Sequence, residues 1–258
     1  MLKLATQIEQ IISKNSDMLD RIRIVLVNTT HPGNIGSAAR AMKTMGLSEL
    51  TLVSPKVFPS NKADEMSSGA HDILTQAVVV NTLEEAVADC TLVVGASARD
   101  RTIPWPYLSP RAMAEKVKLE APAGHTAIVF GQEQSGLTNE ELQCCHLHVQ
   151  IPANPSYSSL NLAMAVQVLA YELRLASLDT SAVTDTWDYR LATADEMERL
   201  FKHMEEVLIE IDFLKVNAPR KLMTRLRRFF FRARPDVMEM NIFRGMLTAI
   251  EDKNRKDA

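Results

Sequence analysis

From Arg21 to about Ser177 the chain alternates short, β-branched apolar runs with stretches of helical periodicity, and few folds accommodate that order. The runs are RIRIVLV, ELTLVS, AVVVN, TLVVGAS, HTAIVFG and LHVQIP. Each is short and apolar on both faces, as strands buried from both sides of a parallel sheet are. Between them lie the helical patterns NIGSAARAMKTM, KADEMSSGA, TLEEAVADC, PRAMAEKVKL, TNEELQCC and the long SLNLAMAVQVLAYELRLAS. This alternation predicts an α/β domain with a mostly parallel sheet flanked by helices. In such sheets ligands bind beyond the carboxyl ends of the strands, so the loops that follow strands are where chemistry is expected.

The α/β domain is expected over residues 18–177. Residues 1–17 carry a weak helical pattern (Leu4, Ile8, Ile11, Ile12) and are read as an N-terminal extension without an assigned role. A polar linker is expected over 178–192 and a helical extension over 193–258. In the extension Met197, Leu200, Phe201, Met204, Val207, Leu208 and Ile211 recur at helical spacing, and Thr193 with Glu196 forms a capping-box signature. Charge is unevenly spread there. Asp185 to Asp212 holds nine acidic and three basic residues, whereas Lys215 to Arg234 holds eight basic and no acidic ones. The basic block reads equally as an electrostatic footprint for nucleic acid or as a solvated helix whose arginines pair with the acidic segment.

Composition removes several classes. No stretch approaches the roughly 20 apolar residues that span a bilayer, and no charged n-region with an apolar h-region opens the chain. Cys90, Cys144 and Cys145 are odd in number and lack CxxC spacing, which predicts free thiols and a reducing, cytoplasmic setting. CCHLH, residues 144–148, fits no familiar zinc spacing, so no metal is expected and its histidines are read as facing solvent. GxSxG, HExxH and Walker A motifs are absent.

Four loops remain. NTTHPGNIGSAAR follows the first strand, and the helix it opens has a core side (Ile35, Ala38, Met42, Met45) and an opposite side (Ser37, Arg40, Thr44). Arg40 is therefore held near the carboxyl edge of the sheet and pointed away from the core. ARDRTIPWPYLSP places Arg99, Arg101, Trp105 and Tyr107 on one loop, a cationic and stacking set suited to a nucleotide, or a proline-stiffened loop whose Trp105 covers core. QEQSGLTNEEL follows the fifth run, with Gly131 before it, Gly136 turning the chain, and Glu133 expected to bond backbone amides of its own loop. IPANPSYSSLNLAMAVQVLAYEL joins a polar loop to a helix apolar almost all round.

Read together, three of these loops resemble the three motifs of the SPOUT superfamily of RNA methyltransferases. NTTHPGNIGSAARAMKTMG is similar to the first motif through Asn34 and Arg40. IVFGQEQSGLTNEEL is similar to the second, FGxExxGL, through Gly131, Glu133 and Gly136. IPANPSYSSLNLAMAVQ is similar to the third through Ser159, Leu160 and Asn161. The likeness covers about residues 20–175. The wording of SARDRTIPWP, NPSYSSLNLAMAVQ and PRKLMTRLRRFFFRARPDVMEMNIFRGML resembles one branch, the tRNA cytidine/uridine 2'-O-methyltransferases acting on nucleotide 32 of the anticodon loop.

The resemblance implies a C-terminal trefoil knot, S-adenosylmethionine as cofactor, and a homodimer with composite sites whose interface is the knot helix, about 159–177. It maps cofactor contacts onto Ala96, Ser97, Ala98, Gly131, Ile151, Ser158, Ser159 and Leu160. On this reading a serine caps the knot helix, Asn161 fixes loop to helix, and Ala163, Ala165 and Ala170 admit the partner. Arg40 takes the catalytic position, stabilising a developing alkoxide, because a guanidinium does not give up its proton near neutral pH. Arg99, Arg101, Trp105, Tyr107, Arg225, Arg227, Arg228 and Arg232 become substrate contacts. The expected partner is tRNA, not DNA or a membrane. Two rivals are a Rossmann-like nucleotide-cofactor enzyme, which lacks its GxGxxG fingerprint here, and a non-catalytic RNA-binding protein.

Overall fold

The structure, a computed structural model, describes residues 18–97, 107–178, 189–215 and 221–257. The chain divides into two compact units, Met1–Asp185 and Thr186–Ala258.

The first unit is built on seven parallel strands: β1 (Ile22–Val27), β2 (Glu49–Val53), β3 (Val78–Val80), β4 (Cys90–Ala96), β5 (Tyr107–Leu108), β6 (His125–Phe130) and β7 (Leu147–Val149). Their order across the sheet is β3-β2-β1-β6-β4-β7-β5. The six strands expected from the sequence are all present. The seventh, β5, is two residues long and was read as loop; it exists because Tyr107 and Leu108 pair with His148 and Val149. β1, β2, β4 and β6 are buried almost throughout, as their double-sided apolarity requires. β3 departs from that pattern. It is the edge strand, and Val78 and Val79 are more than half exposed.

The helices are α1 (Pro32–Met45), α2 (Asn61–Ser67), α3 (His71–Gln76), α4 (Leu83–Val87), α5 (Pro110–Glu120), α6 (Asn139–Gln143) and α7 (Leu162–Leu178). Only α3 was not anticipated; with six residues it is too short for a periodic signature. α1 buries Ile35, Ala38, Ala39 and Met42 and is closed by Gly46 in the left-handed region. α7 packs along α1 and α5. It buries Leu162, Ala163, Val166, Leu169, Ala170 and Leu173, one face of a 3.6-residue period. Ala163 and Ala170 thus serve packing inside the chain, not the side toward a partner as expected.

The strand order fixes where a site can form. β1 leads through α1 outward to β2, whereas β6, its neighbour on the other side, leads away across β4 to β7. Adjacent strands whose connections diverge leave a crevice between their loops.

The second unit comprises α8 (Ala194–Glu210), α9 (Leu222–Ala233) and α10 (Val237–Asp257). The capping box at Thr193 and Glu196 is formed. Arg190–Ala192 run beside Pro235–Val237, joined by Ala192 N to Pro235 O and Val237 N to Arg190 O. Phe201 is fully buried and meets Phe230 and Phe231 edge-on at 5.9 and 5.4 Å. Leu208 is half-buried and Ile211 exposed, so the expected stripe ends at Val207.

Phe201→Ala removes the ring at the centre of this small core and should destabilise it by about 3–5 kcal/mol. Native-state hydrogen exchange should then accelerate across α8–α10 while amides of β1, β4 and β6 keep their protection. Equal acceleration in both units would contradict a stability effect confined to this core.

Candidate active site

The loops at the carboxyl ends of β4, β6 and β7 enclose a cavity of about 260 Å³. Ala96 and Ser97 come from the end of β4, Gly131 from β6, Ile151 from β7, and Ser158, Ser159 and Leu160 from the loop before α7. These are seven of the eight positions to which the motifs assigned cofactor contacts. Ala98 lies outside the described residues, as do Arg99, Arg101 and Trp105. Phe130, Gln132, Ser135, Val149 and Leu162 also line the cavity and were not singled out beforehand, and Ala165, expected toward a partner, lines it too. Phe130, Val149 and Leu162 are element-end residues whose apolar character reads as core until the loops are folded over them.

The 131–136 loop needs its glycines. A Cβ on Gly131 would lie 2.2 Å from Gly136 C and Leu137 N, so no side chain fits where the loop closes on itself. Gly136 sits at φ +68° and donates its N–H to Gln132 O at 2.8 Å. This tight loop projects Glu133 outward to the start of α1. There its carboxylate accepts from Thr30 N (3.0 Å), Thr30 Oγ1 (2.8 Å), His31 N (3.1 Å) and Asn34 Nδ2 (2.9 Å). The expected partners were amides of its own loop. Its principal partners belong to the loop after β1, because β1 and β6 are neighbours. The first turn of α1 also presents the positive end of the helix to this charge.

The chain of contacts continues. Asn34 Oδ1 accepts from Asn161 Nδ2 at 3.0 Å, and Asn161 Oδ1 accepts from Ala163 N at 2.9 Å. Asn161, immediately before Leu162, is therefore the N-cap of α7, where a serine was expected. The loop itself is closed by Asn154, whose Oδ1 accepts from Ser156 N and Oγ. One polar network thus joins the three loops that carry the motifs.

Burial raises the Glu133 carboxyl, but the hydrogen bonds from Asn34, Thr30, its own amide and His31 outweigh it and bring the pKa down to about 2. Glu133 is therefore ionised at neutral pH and holds the loops; as a proton carrier near pH 7 it is unsuited.

Arg40 is exposed on α1, opposite the buried Ile35, Ala38 and Met42, and among the described residues it carries no hydrogen bond or ion pair. It does not line the cavity of its own chain. Tyr107 lies half-buried in β5 at the sheet edge, its ring 5.9 Å from that of His148. His146 and His148 are buried, contrary to the solvent-facing expectation. His146 Nδ1 accepts from Val93 N at 3.0 Å, and His148 Nε2 lies 3.2 Å from Leu142 O. Both pin backbone beside β4 and β7.

In the second unit α9 separates its arginines by face. Arg225 and Arg232 are exposed, away from the buried Phe230 and Phe231, whereas Arg228 is half-buried and engaged within the protein. Arg227 lies on the inner side, 4.6 Å above the Phe201 ring and bidentate to Glu198 at 2.6 and 2.7 Å. Its guanidinium is engaged within the unit, so the expected substrate contact is corrected for Arg227. It takes the alternative reading, pairing with the acidic segment.

Residues 21–171 match the SpoU rRNA Methylase family, and residues 195–258 match the tRNA methyltransferase TrmJ C-terminal domain. The chain is 53% identical over 242 residues to the tRNA (cytidine/uridine-2'-O-)-methyltransferase TrmJ of Yersinia pestis (strain Pestoides F), spanning 92% of this chain and 94% of that one. The protein of the same name from Salmonella typhimurium is 53% identical over 241 residues, 92% and 99% of the two chains. The crystal structure of TrmJ from Z. mobilis ZM4 superposes with a TM-score of 0.78 at 32% identity, covering 89% of this chain and 98% of that one.

A carboxyl lowered from its ordinary 4.5 to about 2 stabilises the folded chain above pH 4.5, and that contribution drains away as pH falls toward 2. Glu133→Gln should therefore unfold at lower urea than the wild type at pH 7, with the gap narrowing as pH falls from about 5 toward 3. A gap independent of pH would show that the charge is not what holds these loops.

Proposed function

We propose, because this chain belongs to the SpoU rRNA Methylase family, that it transfers a methyl group from S-adenosylmethionine to a ribose 2'-hydroxyl of tRNA, at the cytidine or uridine of position 32 in the anticodon loop. The observation that carries the reading is the convergence of the three motif loops on one cavity, tied together by Glu133, Asn34 and Asn161. The rival readings fare worse: a nucleotide-cofactor enzyme has no glycine fingerprint at the β1 loop, and a non-catalytic RNA binder has no use for an intact cavity.

The cavity suits the cofactor by its chemistry. Phe130, Val149, Ile151, Leu160 and Leu162 offer apolar walls for a flat base, while Ser97, Ser158, Ser159 and the backbone of the 131–136 loop offer polar groups at its edge. Ala98 would complete this set. Bound there, S-adenosylmethionine would supply a methyl group on a sulfonium whose sulfur leaves as a neutral thioether. Asn34, Glu133, Gly136 and Asn161 hold the loops; they are not reacting groups.

Arg40 supplies positive charge for the oxygen that attacks. Its guanidinium stabilises the alkoxide developing on the 2'-oxygen and the neighbouring phosphate, while the hydroxyl proton passes to water or phosphate late in the reaction. Because Arg40 lies outside the cavity of its own chain, the site is composite, each cavity facing Arg40 of the partner subunit. The surface of α7 supports a dimer through that helix. Met164, Val168, Tyr171, Leu175 and Leu178 recur at 4-3-4-3 spacing, diametrically opposite the buried face, and Met164, Tyr171 and Leu178 are 62%, 49% and 51% exposed. On this reading the chain segment around β6, β7 and α7 is threaded as a trefoil knot.

Residues 18–177 form the catalytic domain on this reading, 1–17 an extension and 178–192 a linker. Residues 193–258 hold the body of the tRNA through Arg225, Arg228 and Arg232, with Arg99, Arg101 and Trp105 near the target nucleotide. A tRNA substrate places the protein in the cytoplasm.

The test is methyl transfer to an unmodified tRNA transcript, with the product nucleotide mapped by nuclease digestion and mass spectrometry. A 2'-O-methyl at position 32, reduced at least about 100-fold in Arg40→Ala and only partly restored in Arg40→Lys, is the expected result. A methyl at another nucleotide would correct the position, and full activity of Arg40→Ala would remove Arg40 from the mechanism. For the dimer, Met164→Glu with Tyr171→Glu should halve the mass seen by light scattering and abolish transfer. An unchanged mass would contradict the α7 interface.

A further inference from the structure

The proposed substrate is a polyanion, and this inference rests on that reading. Along α1–α3 several of the basic side chains are already engaged by carboxylates. Lys43 pairs with Asp72 at 2.7 Å, Lys62 with Glu65 at 2.9 Å, and His71 lies 3.0 Å from Asp64. Lys56 is different. It is exposed, and among the described residues nothing pairs with its ammonium.

The backbone beneath Lys56 is firmly held. Lys56 N donates to Thr29 O at 3.0 Å, one residue before the Thr30 that grips Glu133. Ser54 N donates to Val80 O at 2.9 Å and Ser54 Oγ to Asn81 O at 2.9 Å. Phe58 is packed against the core, and the Ser60 side chain caps α2 by accepting from Lys62 N. Residues 54–60 are thus fixed on both sides of an exposed tip formed by Lys56 and Val57. An unpaired ammonium on an anchored loop loses less freedom on binding an anion than one on a mobile loop.

The start of α1 would ordinarily attract a phosphate. Here that place is taken by the Glu133 carboxylate, which would repel one. The positive groups left to a nucleotide chain passing along α1 are side chains: Lys56 beside the helix start, and Arg40 about two turns further on. We propose that Lys56 is a positioning residue that contacts a backbone phosphate of the RNA loop next to the ribose being methylated. Val57, half exposed beside it, limits how deeply the chain can settle.

The experiment measures tRNA affinity across a series of KCl concentrations, together with steady-state methyl transfer, for the wild type, Lys56→Met, Lys56→Arg and Lys62→Met. Loss of one phosphate contact should reduce the steepness of log K against log salt by about 0.7 and raise KM for tRNA about three- to tenfold. The kcat and the KM for S-adenosylmethionine should stay near wild type, and Lys56→Arg should restore the slope. Lys62→Met, whose ammonium is already paired with Glu65, should leave both readouts unchanged. A wild-type slope and KM in Lys56→Met would overturn the assignment, as would an equal loss in Lys62→Met, which would mark a diffuse field and not a contact. Failure of the wild type to methylate tRNA would instead sink the substrate reading, and this inference with it.

Discussion

The carboxylate of Glu133 reaches the first turn of α1 from a loop about a hundred residues further along the chain. It satisfies two backbone N–H groups, a hydroxyl and an amide at the positive end of a helix, where an unpaired anion would be costly and a paired one is favoured. Everything that makes the cavity follows from that placement. Asn34, turned by Glu133, presents its carbonyl oxygen to Asn161. Asn161 in turn caps α7 and fixes where the polar loop ends and the helix begins. Removing the carboxylate would leave several donors unsatisfied at once, which costs more than the net worth of the bonds themselves.

The same arrangement explains why the charge available to a nucleic acid sits on side chains. With the start of α1 occupied by protein, Arg40 and Lys56 are exposed cations near it that are unpaired among the described residues. On the helical unit Arg225 and Arg232 are exposed on α9, while Arg227 is turned inward onto Phe201 and Glu198. A block of eight basic residues is therefore not a uniform surface. Its helical phase decides which charges face solvent.

Much of this was legible before folding, and the failures are instructive. Strand and helix existence followed from periodicity, and both capping boxes were visible as three-residue spacings. β5 and α3 escaped because two and six residues carry no periodic signal. The edge position of β3 escaped because an apolar run does not reveal which strands flank it. The likeness of the motifs located Glu133, Asn34 and Asn161, but not that they touch one another: the Asn34–Asn161 bond spans 127 positions and depends on β6 lying beside β1. His146 and His148 were misplaced for the same reason, since alternation alone does not say that both faces of β7 are covered. Arg227 reads as one of a row of arginines until the phase of α9 is known.

The central claim is that the polar network of Glu133, Asn34 and Asn161 holds together the loops that form the cavity. Calorimetric binding of S-adenosylmethionine to Asn34→Ala tests it most directly, because Asn34 is not among the lining residues and its loss breaks the link between the loops after β1, β6 and β7. The account predicts a folded protein with affinity reduced at least about tenfold, the cost of losing one charge-assisted hydrogen bond. Wild-type affinity in that variant would mean that the three loops form the site without being tied, and would contradict the account.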